Sequence, residues 1–226
     1  MNLNEIRAKV REVVDMDSTD VSDALLAMYI TDGYERIIAL DGRWPFFEKS
    51  WTLTTVADQS AYPISGIGSG DVREVTSVVD PSAGGIRLTM IDHAEAEALW
   101  LGANNQSGTP RHFSVWQQSI HLWPKPEEAV TLNLRGYRKP TAWYSDGTTE
   151  VDADDRLHQS LVTYTIAQVY QLQEDLEVAQ FYRQSFDESV RLATADILRV
   201  PSHRPLVLSG SRLHDSYSGH QTPLYY

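Results

Sequence analysis

Residues 109–128, TPRHFSVWQQSIHLWPKPEE, decide how the middle of this chain folds. The run packs Phe113, Trp116, Trp123, His112 and His121 close together. So many rings and imidazoles suit a sugar platform, a metal site or the packed face of a small sheet. In a strand, residues two apart share a face. Phe113 and Val115 therefore lie together, as do Ile120 and Leu122 across the turn. His112, Ser114 and Trp116 take the opposite side, with His121 and Trp123. Apolar residues in, polar and aromatic residues out, is the pattern of a half-buried hairpin. The two histidines lack a third histidine or carboxylate at ligand spacing, so the run reads as structure rather than a metal centre. It leaves Trp116 and Trp123 as candidate interface aromatics on a semi-exposed face. Two uses are open for them: contact with another subunit, or stacking against a sugar ring.

The alternation extends on both sides. SWTLTTVADQSAYPI (50–64), VREVTSVVD (72–80), GGIRLTMID (84–92) and AVTLNLRGYRKP (129–140) are β-branched and interrupted by turn residues. Pro81, Gly84 and Gly85 mark a turn between two strands, and GIGSGD (66–71) marks another. That second motif lacks the Lys-Ser/Thr of a phosphate-binding loop. HAEAEALWLG (93–102) is a short helical insert. Residues 44–140 thus form a β-rich unit of five to seven strands.

Helical spacing flanks this unit. Leu3, Ile6, Val10, Val13 and Val14 line one face of a first helix. Ser18 or Asp20 can cap a second one running to about Leu40, with Val21, Leu25, Met28 and Tyr29 opening its buried face and Gly42 as a stop. After Val151, Asp152 sits at a cap position and acids follow in the first turn, where they face the positive end of the helix dipole. The acidic turn around Asp175 and Glu177 leads to a last helix, with Val178, Phe181, Tyr182, Phe186, Val190, Ala193 and Ile197 on one apolar face. The fold class expected is α+β. The helices of residues 1–43 and 141–198 form one antiparallel bundle, with a sandwich- or barrel-like β unit inserted at 44–140.

Residues 199–226, RVPSHRPLVLSGSRLHDSYSGHQTPLYY, have no sustained period. Their apolar side chains, Leu206, Val207, Leu208, Leu213, Tyr217, Leu224, Tyr225 and Tyr226, suit an extended arm that docks on a subunit or partner.

Composition narrows the function. The chain has 226 residues and no cysteine, which excludes a disulfide framework and thiolate metal sites. MNLNEIRAKVREVV lacks the features of a secretory signal, and no apolar run reaches the roughly 20 residues of a membrane span, so folding in a cytoplasm is expected. Its 19 basic and 31 acidic residues leave a net charge of −12, which argues against nucleic-acid binding. Such a surface lets DNA pass without sticking. No HExxH, GxSxG or Walker motif is present, and no catalytic residue, metal or cofactor is expected. Asp152, Asp154 and Asp155 read as a helix start rather than a cation site or a hydrolase centre.

The order of motifs resembles the head-to-tail adaptor (connector) proteins of tailed bacteriophages, including the tail tubular protein A type. GRWPFFEKSWTLTT (42–55) and AYPI (61–64) are followed by GTPRHFSVWQQSIHLWPKP (108–126), LRGYRKPTAW (134–143) and the helical run 151–186. Arg43, Trp44, Pro45 and Phe46 match the family's R-W-P-F segment. Gly108, Pro110 and Phe113, then Ile120, Leu122, Pro124 and Pro126, match its paired strands. Tyr137 to Pro140 match its Y-R-K-P exit, and Glu174 to Glu177 its acidic turn. Where the family has Leu-Pro before the third long helix, this chain has Val151-Asp152.

The resemblance implies a structural virion protein, made in the host cytoplasm and located in the neck or tail. It implies a homododecameric ring beneath the portal protein, a lumen through which double-stranded DNA passes, and a docking surface for the nozzle or tail tube. From a different class, a carbohydrate-binding tail module using Trp116 and Trp123 is the alternative. The long helical pairs argue against it.

Overall fold

A computed structural model describes residues 1–82, 84–101 and 107–198. The expected arm at 199–226 lies outside the described residues, so none of its eight named side chains is placed.

Helix α1 (Leu3–Val14) opens with a capping box in which the Asn2 side chain and Glu5 satisfy each other's backbone amides. Leu3, Ile6 and Val10 are buried, but Val13 is exposed because it sits at the edge of the stripe. Helix α2 (Asp23–Leu40) is capped by Ser22, not by Ser18 or Asp20; Asp17 and Asp20 instead organise the preceding turn. The buried face runs through Leu26, Ile30, Tyr34 and Ile37, and Met28 is exposed because it stands two residues, roughly 200° round the helix, from both Leu26 and Ile30. Gly33 also faces inward, where an added Cβ would lie 2.7 Å from the Tyr164 ring. The helix ends at Asp41 in extended backbone, so Gly42 is not a left-handed cap.

Trp44 and Phe47 then enter the core, and the chain becomes β-rich. Its strands are β1 (Glu48–Thr54), β2 (Ala61–Pro63), β3 (Val72–Asp80), β4 (Ile86–Arg87) and β5 (Thr89–Met90). After helix α3 (His93–Leu101) come β6 (Ser107–Gly108), β7 (His112–Trp116), β8 (Ser119–Trp123), β9 (Lys125–Pro126) and β10 (Thr131–Arg138). The excess over the expected five to seven strands consists of two-residue pieces too short to show a period. One sheet has the order β1-β10-β3-β4, a second β2-β8-β7-β5, and β6 pairs with β9. Trp51, Val75, Val78, Leu132 and Leu134 from the first sheet share a core with Tyr62, Phe113, Ile120 and Leu122 from the second. The arrangement is a sandwich; among the described residues no barrel closes. At Gly136 the register of β10 against β3 shifts, and an added Cβ would stand 1.9 Å from the Glu74 carbonyl oxygen. Only glycine permits that approach.

The chain returns to helix at α4 (Asp155–Leu172) and α5 (Leu176–Ile197). Asp154, not Asp152, caps α4 by accepting from the Arg156 amide. Asp175 caps α5 by accepting from Val178. On α5, Ala179, Phe186, Val190 and Ala193 are buried, while Phe181 points outward at 65% exposure. Helix α4 packs against α1, α2 and α5, so the first and last helices form one bundle, as the sequence predicts. The class is mixed α+β.

Candidate functional site

The hairpin of residues 112–123 has the expected faces. His112 pairs with Trp123, Phe113 with Leu122, Ser114 with His121, and Val115 with Ile120. Gln117 and Gln118 make the turn, both at positive φ (47° and 56°), the geometry that matches the twist of two-residue hairpins. Phe113, Ile120 and Leu122 enter the sandwich core.

Its other face departs from a simple solvated one. Helix α3 packs on β7 and β8 and covers part of it. Ser114 is consequently buried, and Trp123 is only partly accessible. His93 from α3 stacks on Trp116 with ring centroids 4.7 Å apart and planes 6° off parallel. It also approaches His121, centroid to centroid 5.3 Å. Burial, and secondarily the neighbouring His93, push the His121 pKa below its ordinary value, so this imidazole stays neutral near pH 7. Trp116 keeps 50% exposure, at the tip beside the two glutamines. One of its ring faces is thus occupied by protein, and the other is left for contact. Sequence reasoning placed Trp116 and Trp123 on one side of the hairpin but missed their cover. No local pattern signalled it, since His93 stands on a helix whose alanines and leucines show no clear stripe.

A second constellation joins the two cores. Arg138, at the end of β10, pairs with Asp152 through both terminal guanidinium nitrogens, Nη1 at 2.7 Å. Its guanidinium lies 5.1 Å from the Phe47 ring centroid and also donates to the Phe46 carbonyl. The Thr141 amide and hydroxyl donate to the same carboxylate, at 2.8 and 3.0 Å. Burial alone would raise the Asp152 pKa, but these donors outweigh it and hold the carboxyl below its usual range. Asp152 is therefore a latch between β10 and the start of α4, not a helix cap. On the exposed rim, Arg43 pairs with Glu74 at 2.8 Å.

Asp154 and Asp155 remain at the helix start, as expected. Asp154 pairs with Arg156, which also pairs with Asp196 of α5. Among the described residues no group of three or more His, Asp or Glu side chains is arranged to hold a metal ion. No helix among them is long and apolar enough to cross a membrane.

Two open depressions lie over the outward face of β1 and β10, lined by polar residues such as Lys49, Ser50, Asn133 and Arg135. The larger concavity, about 680 Å³, lies between α2 and α5 and is mainly apolar.

What remains is a bundle closed around an inserted sandwich, with its notable features on surfaces rather than in an enclosed polar site. The model of the SU10 adaptor protein family matches residues 1–207 of the chain. The chain belongs to the SU10 adaptor protein family. No curated protein matches it. An SU10 adaptor is a structural phage protein rather than a member of an enzyme class, and its place is the virion neck, in contact with portal and tail components. The motifs at Arg43–Phe46, Gly108–Pro126 and Tyr137–Pro140 now have structural reasons. Trp44 fills the bundle core, the paired strands build the second sheet, and Arg138 carries the latch.

Proposed function

We propose that this SU10 adaptor assembles as a twelvefold ring beneath the portal, in the manner of the tail tubular protein A type, extends the DNA channel and docks the next tail component. The observation that carries the reading is family membership over residues 1–207. Physical chemistry supports it. A ring requires heterologous contacts, one face of each subunit meeting a different face of the next. Trp116, half exposed at a hairpin tip and stiffened by its stack on His93, is suited to such a contact, with Trp123 at the other end of the same hairpin face. The arm of residues 199–226, through Leu206, Val207, Leu208, Leu213, Tyr217, Leu224, Tyr225 and Tyr226, supplies an apolar strap to a neighbour or the portal. A chain with net charge −12 lets DNA move past without adhering, provided the acids face the lumen.

The test is native mass over a range of concentrations for the full chain, its 1–198 truncation and Trp116→Ala. The full chain is expected to give a closed oligomer of twelve subunits, which the truncation and the tryptophan variant lose while keeping their helical content. Monomers of the full chain at every concentration, alone and with portal rings added, would end the ring reading.

A further inference from the structure

The concavity between α2 and α5 is a mainly apolar recess on the bundle. Its floor is Phe186 and Val190, and Leu40, 64% exposed, and Ala195 stand on its rim. Among the described residues no segment covers it. A recess of about 680 Å³ accommodates several aliphatic side chains.

Three features identify what fills it. The first is position. The groove follows the last three turns of α5, and the chain leaves that helix at Leu198, just beyond the rim residues Thr194 and Ala195. The second is reach. From Ala195 back to Phe186 is roughly 14 Å along a helix. From Leu198 to Leu206, an extended chain spans about 26 Å. Pro201 prevents α5 from simply continuing and favours a change of direction. The third is complementarity. Residues 205–208, PLVL, are the most apolar stretch beyond α5. The segment 199–226 carries three arginines and one aspartate, whereas segments 1–43 and 141–198 together carry eight basic and twenty acidic residues. Charge draws the segment to the bundle as a whole, whereas the recess, whose walls carry Arg36, Arg191 and Asp187, receives it through apolar contact.

We propose that in the free subunit Leu206, Val207 and Leu208 fold back in cis and occupy the α2–α5 groove. While they lie there, these side chains are withheld from neighbouring subunits, and release from the groove precedes any use of the arm in assembly. The short tether gives the segment a local concentration in the millimolar range, far above that of a second chain in dilute solution.

The absence of cysteine makes the test direct. The full chain carrying Ala195→Cys and Val207→Cys is oxidised mildly at low micromolar concentration. An intramolecular disulfide is expected, at a rate independent of protein concentration. It should form about tenfold faster than in a control pairing Val207→Cys with Ser185→Cys, an exposed position of α5 roughly 15 Å from Ala195 that does not line the groove. Adding Leu40→Gln, at an exposed position that should leave the fold intact, is expected to slow the groove pair several-fold. Disulfide between chains would overturn cis docking and give the groove to a second copy, without touching the ring reading. Equal rates for the groove and control pairs would overturn the groove itself.

Discussion

The helical core draws on residues 3–47 and again on 143–193, so its halves are separated by the whole β-rich segment, whereas the sandwich core lies within residues 51–134. One core is assembled across a long sequence gap and the other from a continuous run. Loop-closure entropy makes the difference matter, because distant segments must be held together before their contacts stabilise anything. Once the sandwich has formed, the ends of β1 and β10 stand side by side, with Glu48 opposite Tyr137. That pairing turns a long closure into a short one, and the Arg138–Asp152 latch completes it. The continuous region thus prepares the discontinuous one.

The largest effect should come from emptying the discontinuous core. Trp44, fully buried, touches the bundle where the chain leaves it. Trp44→Ala is expected to cost about 3–5 kcal/mol and lower the melting temperature of the helices, measured by circular dichroism at 222 nm. Loss of sandwich structure ahead of the helices would reverse the order argued above.

Next comes the latch. Asp152→Ala strands a mostly buried guanidinium and should cost about 2–3 kcal/mol at neutral pH. The sign with pH follows from the lowered carboxyl pKa. The contribution is present above the ordinary aspartate range and disappears as pH falls through the folded value. Urea unfolding of both proteins at pH 7 and pH 3 should therefore show a smaller gap at pH 3 than at pH 7. A gap unchanged at pH 3 would mean that Asp152 acts through shape rather than charge.

A Cβ at position 136 must displace the β3 backbone. Gly136→Ala should cost about 1–3 kcal/mol, read as a drop in the midpoint of urea unfolding followed by tryptophan fluorescence. The smallest effect expected is Asp154→Ala, about 1 kcal/mol for a lost cap on α4. If Asp152→Ala and Asp154→Ala proved interchangeable, the separate roles of cap and latch would be wrong.

Much of the architecture was legible in the sequence because periodicity reports burial directly. Period two in FSV and IHL placed the hairpin and its inner face, and helical spacing placed four long helices. The failures share one cause: local chemistry has several acceptable solutions that only tertiary contact separates. Asp152 and Asp154 are equally good caps by residue type, and Arg138, fourteen positions before Asp152, decided between them. Ser18, Asp20 and Ser22 compete likewise, and the turn that ties Asp17 to Asp20 consumed Asp20, leaving Ser22 as the cap. Phe181 reads as core by its spacing, yet α5 turns it away from α4. The pairing of Trp116 with His93 joins residues of different elements, and nothing in either local pattern announces it.

The tip of the hairpin carries a further consequence. Two left-handed residues in succession are ordinarily filled by asparagine and glycine, which adopt that geometry at little cost. Here both positions are glutamine. The turn accepts backbone strain and in return projects two long amides, each able to donate and accept, next to a half-exposed indole. A loop shaped only to reverse direction has no use for such reach. The glutamines set two polar side chains around a hydrophobic centre at the tip, and two left-handed residues without asparagine or glycine are the conformational cost of that arrangement.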